Sequence, residues 1–207
     1  DDNGISAGTA AVCLRVLLFW SAVCGRCARD GDGHRESVQT ENRTETKNNR
    51  FFLKWSDIML FLSGGGDRDQ TRMIDQRFAE EIDKAKPLLY IPAAMEASRF
   101  DSCFQWIKGV FSPLGVNGIV MWPDVKNKRF RDLDRFSAVY IGGGNTFRLL
   151  KHVTDTRFND ILQSYAKRGG IVYGGSAGAI ILGKHIMTCS HMDDNNVGLN
   201  EFDGWGL

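Results

Sequence analysis

The stretch "IVYGGSAGAI", residues 171–180, sets a serine among glycines. The residues before Ser176 read as a buried strand, and the small residues after it read as the start of a helix. A tight strand-to-helix turn of this kind pushes the Ser176 hydroxyl outward, and Gly174 and Gly178 let the backbone close around it. The chemistry on offer is nucleophilic attack by Ser176 Oγ. The plainer reading is a glycine-rich turn whose serine caps a helix. A second turn, "GGGNT" (142–146), follows another apolar run. Its backbone N–H groups suit an anion, either a phosphate or the oxyanion of acyl transfer. Asn145 and Thr146 are candidate substrate contacts there, or helix caps. Phe147 stands where a dinucleotide fingerprint needs its third glycine, and the Walker lysine is missing, which counts against phosphate. A third turn, "SGGGDRDQ" (63–70), puts Asp67 and Asp69 at a helix start, where carboxylates suit the helix dipole.

A serine nucleophile needs a base and a group to orient it. The histidines are His34, His152, His185 and His191. His34 falls in a polar stretch, and His152 is expected near a helix end. His185 and His191 follow Ser176 closely, so the chain must fold back for either to reach it.

These turns need a scaffold, and the sequence supplies one from residue 57 onward. Five apolar runs, "DIMLFLS" (57–63), "LLYIP" (88–92), "GIVMW" (118–122), "SAVYIGGG" (137–144) and "GIVYGG" (170–175), predict strands buried on both faces. Between them run helical stripes: Ile74, Phe78 and Ile82; then Cys103, Phe104, Ile107, Val110 and Phe111; then Phe158, Ile161, Leu162 and Tyr165. The alternation predicts an α/β fold, a mostly parallel sheet with helices on both faces. Ligands of such sheets collect at the carboxyl ends of the strands, where all three glycine turns lie.

Residues 1–56 are of a different kind. An apolar patch, "AAVCLRVLLFWSAVC", is followed by the polar run "RDGDGHRESVQTENRTETKNNR". We expect this part to be a leader-like or disordered extension outside the fold, with Met59 as a natural start. A secretory signal within residues 8–28 is the alternative; otherwise a cytoplasmic location is expected. Asn42-Arg43-Thr44 is a glycosylation sequon that matters only in a secreted chain. The five cysteines, including a lone C-x-x-C at Cys24 and Cys27, form neither a disulfide framework nor a zinc site. A net charge of +1 offers nothing to nucleic acid or a membrane surface. No apolar run is long enough to cross a membrane.

Together "FLSGGGD" (61–67), "YIP" (90–92), "PLGV" (113–116), "IGGGNTFRLLK" (141–151) and "GGSAGA" (174–179) resemble the peptidase E (aspartyl dipeptidase) family of serine peptidases and its cyanophycinase-like relatives. The resemblance covers residues 58–207. It implies a fold like the class I glutamine amidotransferases, with serine in place of their cysteine. It implies Ser176 as nucleophile and the N–H groups of Gly144 and Ala177 as the oxyanion hole. It implies cleavage of small peptides after an N-terminal aspartate, without a metal or organic cofactor. Asp193 or Asp194 stands where the family has an acidic residue. The family's histidine follows a segment that "EFDGWGL" (201–207) matches, so the resemblance places it beyond Leu207. The chain as given is therefore expected to be an incomplete form of the domain, an inactive fragment that hydrolyses Asp-X dipeptides very poorly or not at all. Two other readings stay open: an α/β-hydrolase-type esterase, since "GGSAG" fits G-x-S-x-G, and a non-catalytic module binding a small molecule or peptide.

Overall fold

Five of the apolar runs become parallel strands because each can bury both faces between helices. The structure, a computed structural model, describes residues 12–13 and 58–206. In chain order the elements are β1 (Val12–Cys13), β2 (Leu60–Ser63), α1 (Arg68–Glu81), β3 (Leu88–Ile91), α2 (Phe100–Phe111), β4 (Ile119–Met121), β5 (Ala138–Ile141), α3 (Thr146–Asp155), α4 (Phe158–Lys167), β6 (Val172–Gly175) and α5 (Ala177–Ile180). The sheet order is β1-β2-β6-β5-β3-β4. All pairings from β2 to β4 are parallel, and β1 alone is antiparallel. This is an α/β fold.

Alternate residues of each strand feed two separate cores. Phe61, Leu88, Tyr90, Tyr140 and Tyr173 pack with Ile74 and Phe78 of α1 and Ile107 and Phe111 of α2. Leu60, Leu89, Ile91, Ile141 and Val172 face the opposite side, with Leu149 and Val153 of α3 and Phe158 and Leu162 of α4. β4, at the sheet edge, is only half-buried.

The boundary expected at residue 57 meets one contact from its other side. Val12 lies opposite Leu62 and Cys13 opposite Phe61 on the free edge of β2. An unpaired edge offers N–H and C=O groups to any extended segment, and here the preceding chain supplies it. The C-x-x-C, the sequon, His34 and the rest of residues 14–57 lie outside the described residues.

α1 begins as its sequence demands. Asp67 Oδ1 accepts from the N–H groups of Asp69 and Gln70, and Gln70 Oε1 accepts from Asp67 N–H, a reciprocal capping box. Asp67 thus has a structural role.

Two turns on, Asp75 is 3% exposed and faces the sheet. Tyr173 donates its hydroxyl to Asp75 Oδ1 at 2.7 Å. Thr71 Oγ1 lies 2.7 Å from Asp75 Oδ2 and 3.0 Å from Asp67 O. The Thr71 hydroxyl has one hydrogen to share between these two acceptors. Burial pushes the Asp75 carboxyl above its ordinary range, against the hydrogen bonds from Tyr173 and Thr71, which lower it. The folded protein then binds the proton more tightly than the unfolded chain does. Asp75 therefore contributes a loss of stability as pH rises from its unfolded value through its folded one. Asp75→Asn should remove that slope and change stability near neutral pH by about 1 kcal/mol or less. Asp75→Ala, which takes the acceptor from Tyr173, should cost about 2 kcal/mol. Urea midpoints measured from acidic to neutral pH check both, and an Asp75→Asn slope equal to that of the parent would count against a raised Asp75 pKa.

Candidate active site

β6 runs between β2 and β5, with Leu62 opposite Gly174 and Ser63 opposite Gly175 on one side and Ile141 opposite Gly174 on the other. The ladder extends one residue past the strand, where Ser176 N–H donates to Ser63 O at 2.8 Å. The chain then turns into α5, whose Ala179 and Ile180 N–H groups both donate to Ser176 O. Caught between a ladder and a helix, Ser176 adopts φ 50°, ψ −113°. That lies outside every region an L-residue ordinarily occupies and costs about 1–3 kcal/mol. Asn127 and Arg157 also have positive φ, but Arg157, at φ 55°, ψ 21°, sits in the ordinary left-handed region.

The neighbouring strands end in glycines that make room for this serine. A Cβ on Gly65, after β2, would lie 3.2 Å from Ser176 Cβ, and one on Gly143, after β5, would lie 3.0 Å from it. Turns from three adjacent strands therefore meet at one hydroxyl. They open on a cavity of about 380 Å³, lined also by Tyr90, Arg99, Trp106 and Tyr140. Burial raises the pKa of the Tyr90 and Tyr140 phenols, so both stay neutral hydrogen-bonding groups.

Of the predicted site residues, the structure brings Ser176 to the cavity. From the second glycine turn it is Gly142 and Gly143, just before the predicted Gly144, that line it. A Cβ on Gly144 (φ 133°) would meet Ala94 O at 2.5 Å instead, and Asn145 N–H donates to that same carbonyl. Ala177 is fully buried. Among the described residues, the N–H groups of Gly143, Gly144 and Ala177 donate no hydrogen bond. Ala177 is the buried one of the three; a buried donor without a partner is costly, and a site that receives a developing oxyanion is one reason to keep it.

Asn145, Thr146 and Asp193 are engaged elsewhere. Asn145 caps α3, its Oδ1 accepting from Arg148 N–H, and its Nδ2 donates to Asp194 O. Asp193 Oδ2 accepts from Thr146 N–H at 2.8 Å and from Thr146 Oγ1 at 2.6 Å. The three clamp the 193–194 loop to the start of α3. None of them lines the cavity. A carboxylate and an amide are drawn to free N–H groups at a helix start, which explains why chain-distant residues meet there.

No described histidine lines the cavity either. His152, in the last turn of α3, accepts from Val125 N–H, and His185 accepts from Met187 N–H. His191 is exposed in the loop after Cys189. Sequence reasoning missed Tyr90, Arg99 and Trp106. The available signal was that Arg99 follows β3 on its carboxyl side, where ligands of parallel sheets collect.

The model of peptidase family S51 matches residues 59–207. Peptidase E of Haemophilus influenzae Rd is 32% identical over 110 residues, 53% of this chain and 49% of the relative. Peptidase E of Actinobacillus pleuropneumoniae serotype 5b is 28% identical over 140 residues, 65% of this chain and 58% of the relative. The chain thus spans about half the length of the curated relatives it matches. A crystal structure of a peptidase E candidate from Listeria monocytogenes EGD-e superposes with a TM-score of 0.56 at 23% identity, covering 72% of this chain and 74% of that one. That likeness is one of fold.

Proposed function

The chain belongs to peptidase family S51, and on that premise we propose that it is a serine peptidase hydrolysing dipeptides with an N-terminal aspartate. The turn at Ser176 is then a nucleophile elbow. Ser176 Oγ attacks the aspartyl carbonyl carbon and gives its proton to a base. The carbonyl oxygen becomes an oxyanion held by the N–H groups of Gly144 and Ala177. The C–N bond breaks, the leaving amine takes a proton, and an acyl-enzyme remains on Ser176 for water to hydrolyse. No histidine or carboxylate is among the described residues lining the cavity.

The observation that carries this reading is the Ser176 backbone, φ 50°, ψ −113°, at the end of β6 beside the cavity. Strain of this kind persists where a side chain must be displayed. The lack of a described histidine in the cavity favours a second reading, a module that binds peptides without turnover. One assay separates these readings and the esterase. Leucine release from Asp-Leu and Leu-Leu is followed beside p-nitrophenyl butyrate hydrolysis, with imidazole added as an external base. We expect Asp-Leu to be preferred over Leu-Leu by roughly 100-fold or more, and its cleavage to vanish in Ser176→Ala. Ester hydrolysis without aspartyl preference, or cleavage that survives Ser176→Ala, would overturn the proposal.

A further inference from the structure

Arg99 ends the single turn Ala97–Arg99 that leads into α2. Its loop lies at the carboxyl end of β3, two strands from β6 in the sheet. Arg99 and Ser176 line the same cavity. The other described lining residues are glycines, serines, a threonine, tyrosines, a cysteine and a tryptophan, so Arg99 supplies the only formal charge among them. Its guanidinium is in no ion pair with the described residues. Glu96, three residues earlier, is paired with Arg148 at 3.1 Å. The Ser102 hydroxyl donates to Arg99 O at 2.8 Å, tying the backbone of this turn to the start of α2. The result is a cavity of peptide-accommodating size with one cation and no carboxylate among its described lining residues.

We propose that Arg99 receives a carboxylate of the peptide substrate while Ser176 faces its scissile bond. The inference rests on the peptidase reading of the cavity. A guanidinium presents paired N–H donors that match a carboxylate in a bidentate way, which fixes orientation as well as affinity. A dipeptide with N-terminal aspartate has two such groups, the aspartyl side chain and the C-terminal carboxylate. Either would pair with Arg99, and its choice sets whether the cavity selects acidic residues or short peptides.

Calorimetric titration of the 207-residue chain separates the two, using Asp-Leu, Asn-Leu and Asp-Leu amide as ligands for the parent and Arg99→Gln. The parent should bind Asp-Leu roughly 10- to 100-fold more tightly than the analogue lacking the carboxylate that Arg99 holds. Discrimination against Asn-Leu assigns the side chain, and discrimination against the amide assigns the C-terminus. Arg99→Gln should bind Asp-Leu more weakly by a similar factor and lose that one discrimination. Arg99 is exposed, so its melting temperature should match the parent's. Arg99→Gln keeping the parent's preferences would overturn the proposal while leaving the peptidase reading intact. A parent that binds none of the three would overturn the peptidase reading of the cavity, and this inference with it.

Discussion

Replacing Gly178 by alanine should destabilise the protein by about 3 kcal/mol or more and displace the serine two residues before it. A Cβ at Gly178 would fall 2.2 Å from Ile141 O and 3.0 Å from Ile141 Cβ. Ile141 is the last residue of β5, locked in register with Ile91 on one side and Gly174 on the other. Its carbonyl belongs to the central sheet and has no cheap direction in which to move. The same closeness recurs at Gly174, where a Cβ would lie 2.5 Å from Gly178 O. β6 and α5 therefore fold back on each other with no room for a side chain at either crossing. An added methyl would lift α5 from the end of β5 and carry Ser176 and the Ala177 N–H with it. Urea unfolding measures the cost. Gly169→Ala is the control, since a Cβ there meets nothing within 4 Å and only its φ of 88° is penalised. That variant should lose about 1 kcal/mol. Equal midpoints for Gly178→Ala and the parent would contradict the close crossing of α5 over β5.

The strands were legible because a strand covered on both faces leaves a continuous apolar run, as at Leu88–Ile91 and Ala138–Ile141. The helix facing the tyrosine side was legible from Ile74 and Phe78, both buried. Asp75, next to Ile74, lies outside the Ile74-Phe78-Ile82 stripe and was not singled out from the sequence. Other features have no local signature. Asp193 reaches Thr146 across 47 residues, and no periodicity links the two. Three successive glycines at 142–144 look alike in sequence, and only the folded turn distinguishes Gly143, where a Cβ would meet Ser176, from Gly144, where one would meet Ala94. Arg99 reads as an ordinary surface arginine in a polar turn. The sheet order, which sets β3 beside β5 and β5 beside β6, brings its loop to the serine. The pairing of β1 with β2 escaped notice because a two-residue partner carries no pattern of its own.

The displayed serine is open to direct capture. A fluorophosphonate phosphonylates an activated serine: Oγ bonds to phosphorus and fluoride leaves. An oxyanion hole and substrate binding together, without a complete triad, leave roughly 1,000- to 10,000-fold acceleration over water. Ser176 should therefore be modified well ahead of the other serines of the 207-residue chain, even with no described histidine in its cavity. Imidazole, supplying a base in solution, should raise the rate further, because the hydroxyl is a weak nucleophile until its proton is taken. The decisive measurement is the time course of phosphonylation, read residue by residue by peptide mass spectrometry, for the parent and for Ser176→Ala. A fast, imidazole-accelerated adduct on Ser176, absent from Ser176→Ala, is the predicted result. Slow modification spread evenly over the chain's serines, and unchanged by Ser176→Ala, would contradict Ser176 as the nucleophile.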